Sequence, residues 1–274
     1  MMKTFVEPGS PLVPSAMEDN QVDHMTYLAR RLPGATVRDE PGLLLVDSGL
    51  PTDTFNVVCR TRLRAQDADV RIAAALAHFR AKSFPFAWWV GPGAMPEDLD
   101  ARLTAHGLVR AEEEQGMAMD LSQLPARLSL PPGVSVRRVS TERELADFAR
   151  VVASNWEPLD TNVQDFYART ARVSLTPDSP VRFFLGLLDG EPVATSECHL
   201  SHGVAGLYSV STLKAFRRRG LGAALTLAPL LDAREAGYRT ATLQASTEGQ
   251  GVYARLGFEP RGVFRVYQPT STRT

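Results

Sequence analysis

The stretch Arg217-Arg218-Arg219-Gly220-Leu221-Gly222-Ala223 constrains this chain more than any other. It follows an extended run over residues 206–212 and opens a helical run over residues 221–235. A strand, a short basic turn with two glycines and a helix start together build an anion site. Glycine lets backbone approach a ligand closely, and the free N–H groups of the first helical turn point at it. The helix dipole adds partial positive charge at the same place. Three arginines there oppose that dipole, so the arrangement is costly without a bound anion. The spacing R-x-x-G-x-G (Arg217, Gly220, Gly222) is weak alone; the strand before it and the helix after it make it specific.

A second ordered motif lies downstream. Residues 240–245 read as a strand, followed by Ser246-Thr247-Glu248-Gly249-Gln250, a short helix holding Tyr253, and Leu256-Gly257-Phe258. On these two motifs the chain resembles the GNAT family, the acyl-CoA-dependent N-acyltransferases. The resemblance runs from about Val134 to the C-terminus and is closest over residues 207–258. It implies that Arg218, Arg219, Gly220, Leu221, Gly222 and Ala223, with Arg217 opening the motif, wrap the pyrophosphate of acetyl-CoA. It implies that the backbone of Val210, Ser211 and Thr212 pairs with the pantetheine arm. Tyr253 is placed beside the thiol. Ser246 stands where many relatives carry an asparagine near the cofactor; capping the next helix is its alternative role, although Thr247 with Gln250 makes the better capping box.

Length and composition set the frame. At 274 residues the chain is one large or two ordinary domains, and 44% apolar residues supply a core. A net charge of −1 gives no reason to expect nucleic acid or an anionic membrane as partner. Cys59 and Cys198 form no C-x-x-C, so neither a disulfide framework nor a zinc site is expected. The N-terminal residues have no apolar stretch of signal-peptide length, and no run approaches the roughly 20 residues that span a bilayer. The expectation is a cytoplasmic protein.

Along the chain, residues 1–20 carry prolines at 8, 11 and 14 and read as an irregular arm, with a helix over 20–31. Residues 42–48 and 56–60 read as strands. Residues 67–82 form an amphipathic helix with Val70, Ala73, Ala74, Ala77 and Ala81 on its buried face. A strand at 86–90 and a helix at 96–106 capped by Gly107 follow. Helix, glycine, apolar residue and strand recur around Gly107 and around Gly257, so the N-terminal half reads as a degenerate copy of the C-terminal half. Gly91-Pro92-Gly93 follows Trp89-Val90 where arginines would stand, and proline lacks the N–H an anion cradle needs; no CoA site is expected in this half. Residues 124–133 are the linker. Beyond it come a strand at 134–139, a helix opened by the capping box Thr141/Glu144, a helix at 161–171, and a hairpin over Asp189-Gly190. The helix from Leu221 is expected to bury Leu221, Ala224, Leu225, Ala228 and Leu231, and to serve as the crossover to a parallel strand at 240–245.

The reading is an α+β fold of two GNAT-like halves, 1–126 and 133–274, each a mixed, mostly antiparallel sheet flanked by helices. The implied reaction transfers acetyl or acyl from acetyl-CoA to a primary amine, expected on a small molecule, by direct attack in a ternary complex, with no metal. Tyr253 is the expected acid. Glu197 and His199 share one strand face, and either can deprotonate the amine; a polar residue on a sheet face is the plainer alternative for both. Trp88-Trp89 packs the N-terminal core or turns one indole to substrate, and Trp156, Asp160 and Asn162 are a wall of the acceptor pocket by resemblance. A protein or peptide amine acetyltransferase, and a non-catalytic acyl-CoA-binding module, remain as alternatives. Oligomeric state is left open.

Overall fold

Two segments of the chain repeat one order of elements: antiparallel strands, a crossover helix into a parallel strand, a short helix and a long strand. The first comprises α1 (Val13–Tyr27), β1 (Thr36–Glu40), β2 (Leu43–Asp47), β3 (Val57–Cys59), α2 (Ala68–Lys82), β4 (Ala87–Val90), α3 (Leu99–Ala105) and β5 (Leu108–Asp120). The second comprises β6 (Val134–Arg138), α4 (Glu142–Ala153), α5 (Thr161–Ser174), β7 (Val181–Leu188), β8 (Glu191–Ser201), β9 (Val204–Thr212), α6 (Leu221–Glu235), β10 (Thr240–Ala245), α7 (Gln250–Arg255) and β11 (Glu259–Pro269). This computed structural model describes residues 4–270. The first three residues of the stretch read for a leader, and 271–274 at the end of the second half, lie outside the described residues. Among the described residues, no helix is long and apolar enough to cross a membrane.

All eleven strands join one sheet in the order β1-β2-β3-β4-β11-β5-β10-β9-β8-β7-β6. Among the described residues the parallel strand pairs are β3·β4 and β9·β10. The centre of the sheet shows how the halves are joined. The closing strand of the second half, β11, lies between β4 and β5, and the closing strand of the first half, β5, lies between β11 and β10. Each half thus lends its last strand to the other across a pseudo-twofold axis through the β5·β11 pair. The two long strands lie antiparallel from Glu259↔Ala118 to Pro269↔Leu108.

Helices cover both faces. Phe183, Leu185 and Leu187 of β7 pack with α4 and α5, while Phe184 packs with α6, as alternation along a strand requires. In the first half α2 and α3 pack on Trp88 and Val90, and α1 covers Leu44, Val46 and Val57 on the other face. Helix α1 also crosses to the second half. The fully buried Asn20 donates through Nδ2 to the carbonyls of His199 (3.0 Å) and Ser201 (3.1 Å), and accepts from the Tyr208 hydroxyl (2.7 Å). A Cβ on Gly206 would lie 1.9 Å from Asn20 Oδ1, so only glycine lets the helix sit this close.

Several expectations need correcting. Residues 13–20 belong to α1 rather than to an irregular arm, and Pro14 is tolerated because the first helical turn needs no N–H there. Strand β1 was not anticipated. Helix α2 buries Ala68, Ile72, Ala75, Leu76 and Phe79, leaving Val70 72% exposed: the larger side chains choose the face, not the alanine stripe. On α6, Ala228 and Leu231 are half-buried while Thr226, Pro229 and Leu230 are buried. The counterpart of the arginine-glycine turn is also displaced. Because β3 and α2 match β9 and α6, it is the loop 60–67, not Gly91-Pro92-Gly93, which follows the match of β10. That loop has three arginines and no glycine, and a carboxylate meets each arginine: Asp39 on Arg60, Glu18 on Arg62 at 3.3 Å, and Asp67 on Arg64 at 2.6 Å. Glu18, from α1, also accepts the Gly93 N–H at 3.0 Å, so the chain's own carboxylate fills this place.

Candidate active site

Strands β9 and β10 pair only at Ala205↔Ala241 and Gly206↔Thr242 and then part. Beyond Gly206, β9 is held on one side only, by β8, and its other edge faces a gap. A bulge sits there: Ser196 of β8 faces two residues, Ser209 and Val210, and Ser209 has φ +50°. The gap opens into a cleft of about 1070 Å³. Val210, Ser211, Thr212, Arg217, Arg218, Leu221, Gly222, Ser246, Tyr253 and Glu197 all line it. Arg219, Gly220, Ala223 and His199 do not.

The arginine-glycine turn fits a bound anion. Arg218 (φ +65°) and Gly220 (φ +79°) both take the left-handed conformation, and Gly220 caps α6 with no side chain bonded to the first-turn N–H groups. Among the described residues no carboxylate lies within 4.0 Å of Arg217, Arg218 or Arg219, unlike the arginines of loop 60–67. A Cβ at Gly222 would meet nothing within 4 Å, so space is open in front of the helix. The helix dipole, Arg217 and Arg218 therefore face the cleft, and among the described residues no carboxylate pairs with these arginines.

Tyr253 stands on α7, half-buried, its ring edge-on to Phe258 at 5.9 Å. Burial, and then the charge of Glu114, push its phenol up to about 12, so it stays protonated. Among the described residues its hydroxyl has no hydrogen-bond partner. Ser246 Oγ accepts the Gly249 N–H at 3.3 Å, so Ser246, and not Thr247, braces the start of α7 while also facing the cleft.

Glu197, 2% exposed, is held by three donors: His24 Nε2 at 2.9 Å, the Tyr167 hydroxyl at 3.2 Å and Ser209 Oγ at 3.3 Å. Burial alone would raise its pKa, but His24 and the other donors overcome it and hold the carboxyl below the ordinary value. His199 is fully buried; Nε2 bonds Asp23 at 2.9 Å, and burial lowers its pKa, so the ring is kept neutral and away from the cleft. Cys198 is a buried thiol raised by burial to about 12, which leaves it unreactive. Trp88 packs in the core, its Nε1–H on Thr61 at 3.0 Å, whereas Trp89 and Trp156 line the cleft; Asp160 and Asn162 do not. Asp160 instead caps α5 and accepts from Thr52 at 2.7 Å. Among the described residues no group of three or more His, Cys, Asp or Glu is placed to hold a metal ion.

The cleft also holds groups that sequence reading missed: His24 from α1, Tyr167 from α5 and Glu114 from β5. Glu114 neighbours the end of β10, where Gln115 pairs with Ala245. Burial, reinforced by Glu112, pushes its carboxyl up to about 7. An acid raised on folding adds stability below its unfolded pKa and loses it as pH rises through the folded value, here from the ordinary 4.5 to about 7. Glu114→Gln is therefore expected to stabilise the protein more at pH 8.5 than at pH 5.5. After discounting for the group's residual contact with water, the difference is about 1 to 2 kcal/mol in urea unfolding. An equal effect at both pH values would show that the carboxyl does not titrate in that window.

Residues 145–258 match the sequence model of the Acetyltransferase (GNAT) family. The matched residues lie in the second half of the chain and include the arginine-glycine turn and Tyr253. No curated protein matches the chain. A GCN5-related N-acetyltransferase from Kribbella flavida shares 18% identity, covering 96% of this chain and 97% of its own, with a TM-score of 0.73. A tandem GNAT protein from the clavulanic acid biosynthesis pathway shares 15% identity over 97% of this chain and 98% of its own, with a TM-score of 0.60. A GCN5-related N-acetyltransferase from Sphaerobacter thermophilus aligns at 15% identity over 96% and 91%, with a TM-score of 0.60. These likenesses extend the GNAT fold to the whole chain. Both halves have the GNAT-like fold, and residues 145–258 carry the sequence pattern of that acetyltransferase family.

Proposed function

We propose that the protein transfers an acetyl group from acetyl-CoA to a primary amine of a small molecule, in the cytoplasm, by direct attack in a ternary complex. One observation carries the reading: the arginine-glycine turn, uncapped and without counter-charge, opens on the same cleft as the β9–β10 gap and Tyr253. Arg217, Arg218 and the α6 N-terminus take the pyrophosphate, with Arg219, Gly220 and Ala223 shaping the turn. The free edge of β9 at Val210–Thr212 takes the pantetheine arm, and its N–H groups polarise the thioester carbonyl. Side-by-side binding supplies the entropic advantage. Tyr253 gives its proton to the departing sulfur. Glu197, held by three donors, orders the floor of the cleft, and His199 anchors α1 through Asp23.

The halves 1–126 and 133–274 divide the work, with donor binding confined to the second. Glu18 and Arg62 pair at the counterpart of the turn, which favours a single donor site. Calorimetric titration with acetyl-CoA is expected to saturate at one equivalent per chain. Two equivalent sites, or no binding, would contradict the reading.

A further inference from the structure

The cleft reaches the sheet face that carries α1, α4 and α5, where both halves wall it. Phe55 and Trp89 come from the first half; Phe166 and Trp156 come from the second. Phe55 and Phe166 stack in parallel, with centroids 3.6 Å apart and planes 9° apart. Glu114 reaches the same space from the exchanged strand β5. The face is fixed by register: Gly116, two residues on, points at Met17 of α1, so Glu114 points to the α1 side as well. Among the described residues the Glu114 carboxyl has neither a hydrogen bond nor an ion pair, whereas the Glu197 carboxyl accepts three hydrogen bonds. Asn155 Oδ1 is likewise taken, by Ser211 Oγ at 3.0 Å. A half-buried carboxylate without a partner, facing the cleft, suits a cation, and ring faces attract one while offering flat apolar contact. Hydroxyls of a sugar amine laid against Phe55 and Phe166 would find no hydrogen-bond partner on those two rings.

Resting on the acyl-transfer reading above, we propose that the acceptor is a primary amine carried on an aromatic or other flat apolar body. Its ammonium meets Glu114, and its body lies against Phe55, Phe166 and Trp89. Glu114 takes one ammonium proton, and the freed nitrogen pair forms the bond to the thioester carbon. The C–S bond breaks as the Tyr253 phenol protonates the sulfur. The nitrogen's second surplus proton restores the phenol, and Glu114 releases its proton to water. The products are the amide, CoA thiol and one proton.

Thiol release at saturating acetyl-CoA tests this with phenethylamine and tryptamine against kanamycin and a short peptide with a free N-terminus. The arylalkylamines are expected to show kcat/KM at least tenfold above the others. Glu114→Gln should raise their KM at least tenfold and abolish the rise of kcat/KM through about pH 7, while acetyl-CoA affinity changes less than twofold. Preference for kanamycin or the peptide would overturn the proposal. So would a Glu114→Gln enzyme with unchanged amine KM and pH profile. Failure of the wild-type protein to bind acetyl-CoA would remove the acyl-transfer reading itself, and this inference with it.

Discussion

Gly222→Asp is expected to weaken acetyl-CoA binding by well over tenfold and to leave the fold intact. The new Cβ meets nothing within 4 Å, so no packing is lost. An acidic side chain in the first turn of α6 favours the helix dipole, so folding gains slightly if anything. The pyrophosphate, however, then faces a carboxylate. Like charges about 4 Å apart at an effective dielectric constant near 20 repel by about 4 kcal/mol, against about 1.4 kcal/mol for each tenfold in affinity. Gly220 is the poorer probe: its φ is +79° and a Cβ would lie 2.9 Å from Pro131, so a substitution there strains the turn itself. Unchanged affinity for Gly222→Asp, measured by calorimetry on a protein with native thermal unfolding, would place the donor elsewhere.

Tyr253→Phe is expected to lower turnover on the order of 10²-fold, the low end for one general acid–base residue. The ring keeps its edge-on contact with Phe258, and only the proton donor is lost. A free thiol has a pKa near 8.5, so CoA leaves more readily with a proton. At about 12 the phenol is the weaker acid, and the transfer runs forward because the amide nitrogen gives its surplus proton back to the phenolate. Acetyl-CoA affinity should change by less than about 1.5 kcal/mol, the scale of one neutral hydrogen bond. Wild-type turnover would make Tyr253 a packing residue and leave water to protonate the sulfur.

The donor side of the proposed site was legible as an order of elements, because local chemistry writes it. A strand, the turn 217–223, a helix and a parallel strand are consecutive in the chain and need no distant partner to be recognised. The proposed acceptor side was not legible, because it is assembled across the halves. Helix α1 buries Glu18 and Asn20, polar residues whose partners lie on loops and strands far along the chain, so its apolar pattern is faint. Helix α2 is alanine-rich on several sides, which left periodicity unable to choose between the Val70 face and the Ile72–Phe79 face. Glu112-Glu113-Glu114 looks like a solvated charge run; the exchange of β5 and β11 turns its third member inward. The length of β5, thirteen residues from Leu108, was the available signal, since so long a strand reaches past its own half.

The central claim is that an acyl group leaves CoA in the second half of the chain and arrives on an amine. The most direct measurement uses acetyl-CoA labelled with ¹⁴C in the acetyl group, incubated with the protein and phenethylamine, with the products separated and counted. The account predicts label on the amide nitrogen's acetyl group, in amounts matching the thiol released, and loss of both with Gly222→Asp. Tight acetyl-CoA binding with no label transferred to any amine, above uncatalysed hydrolysis, would contradict it and leave a module that binds acyl-CoA without using it.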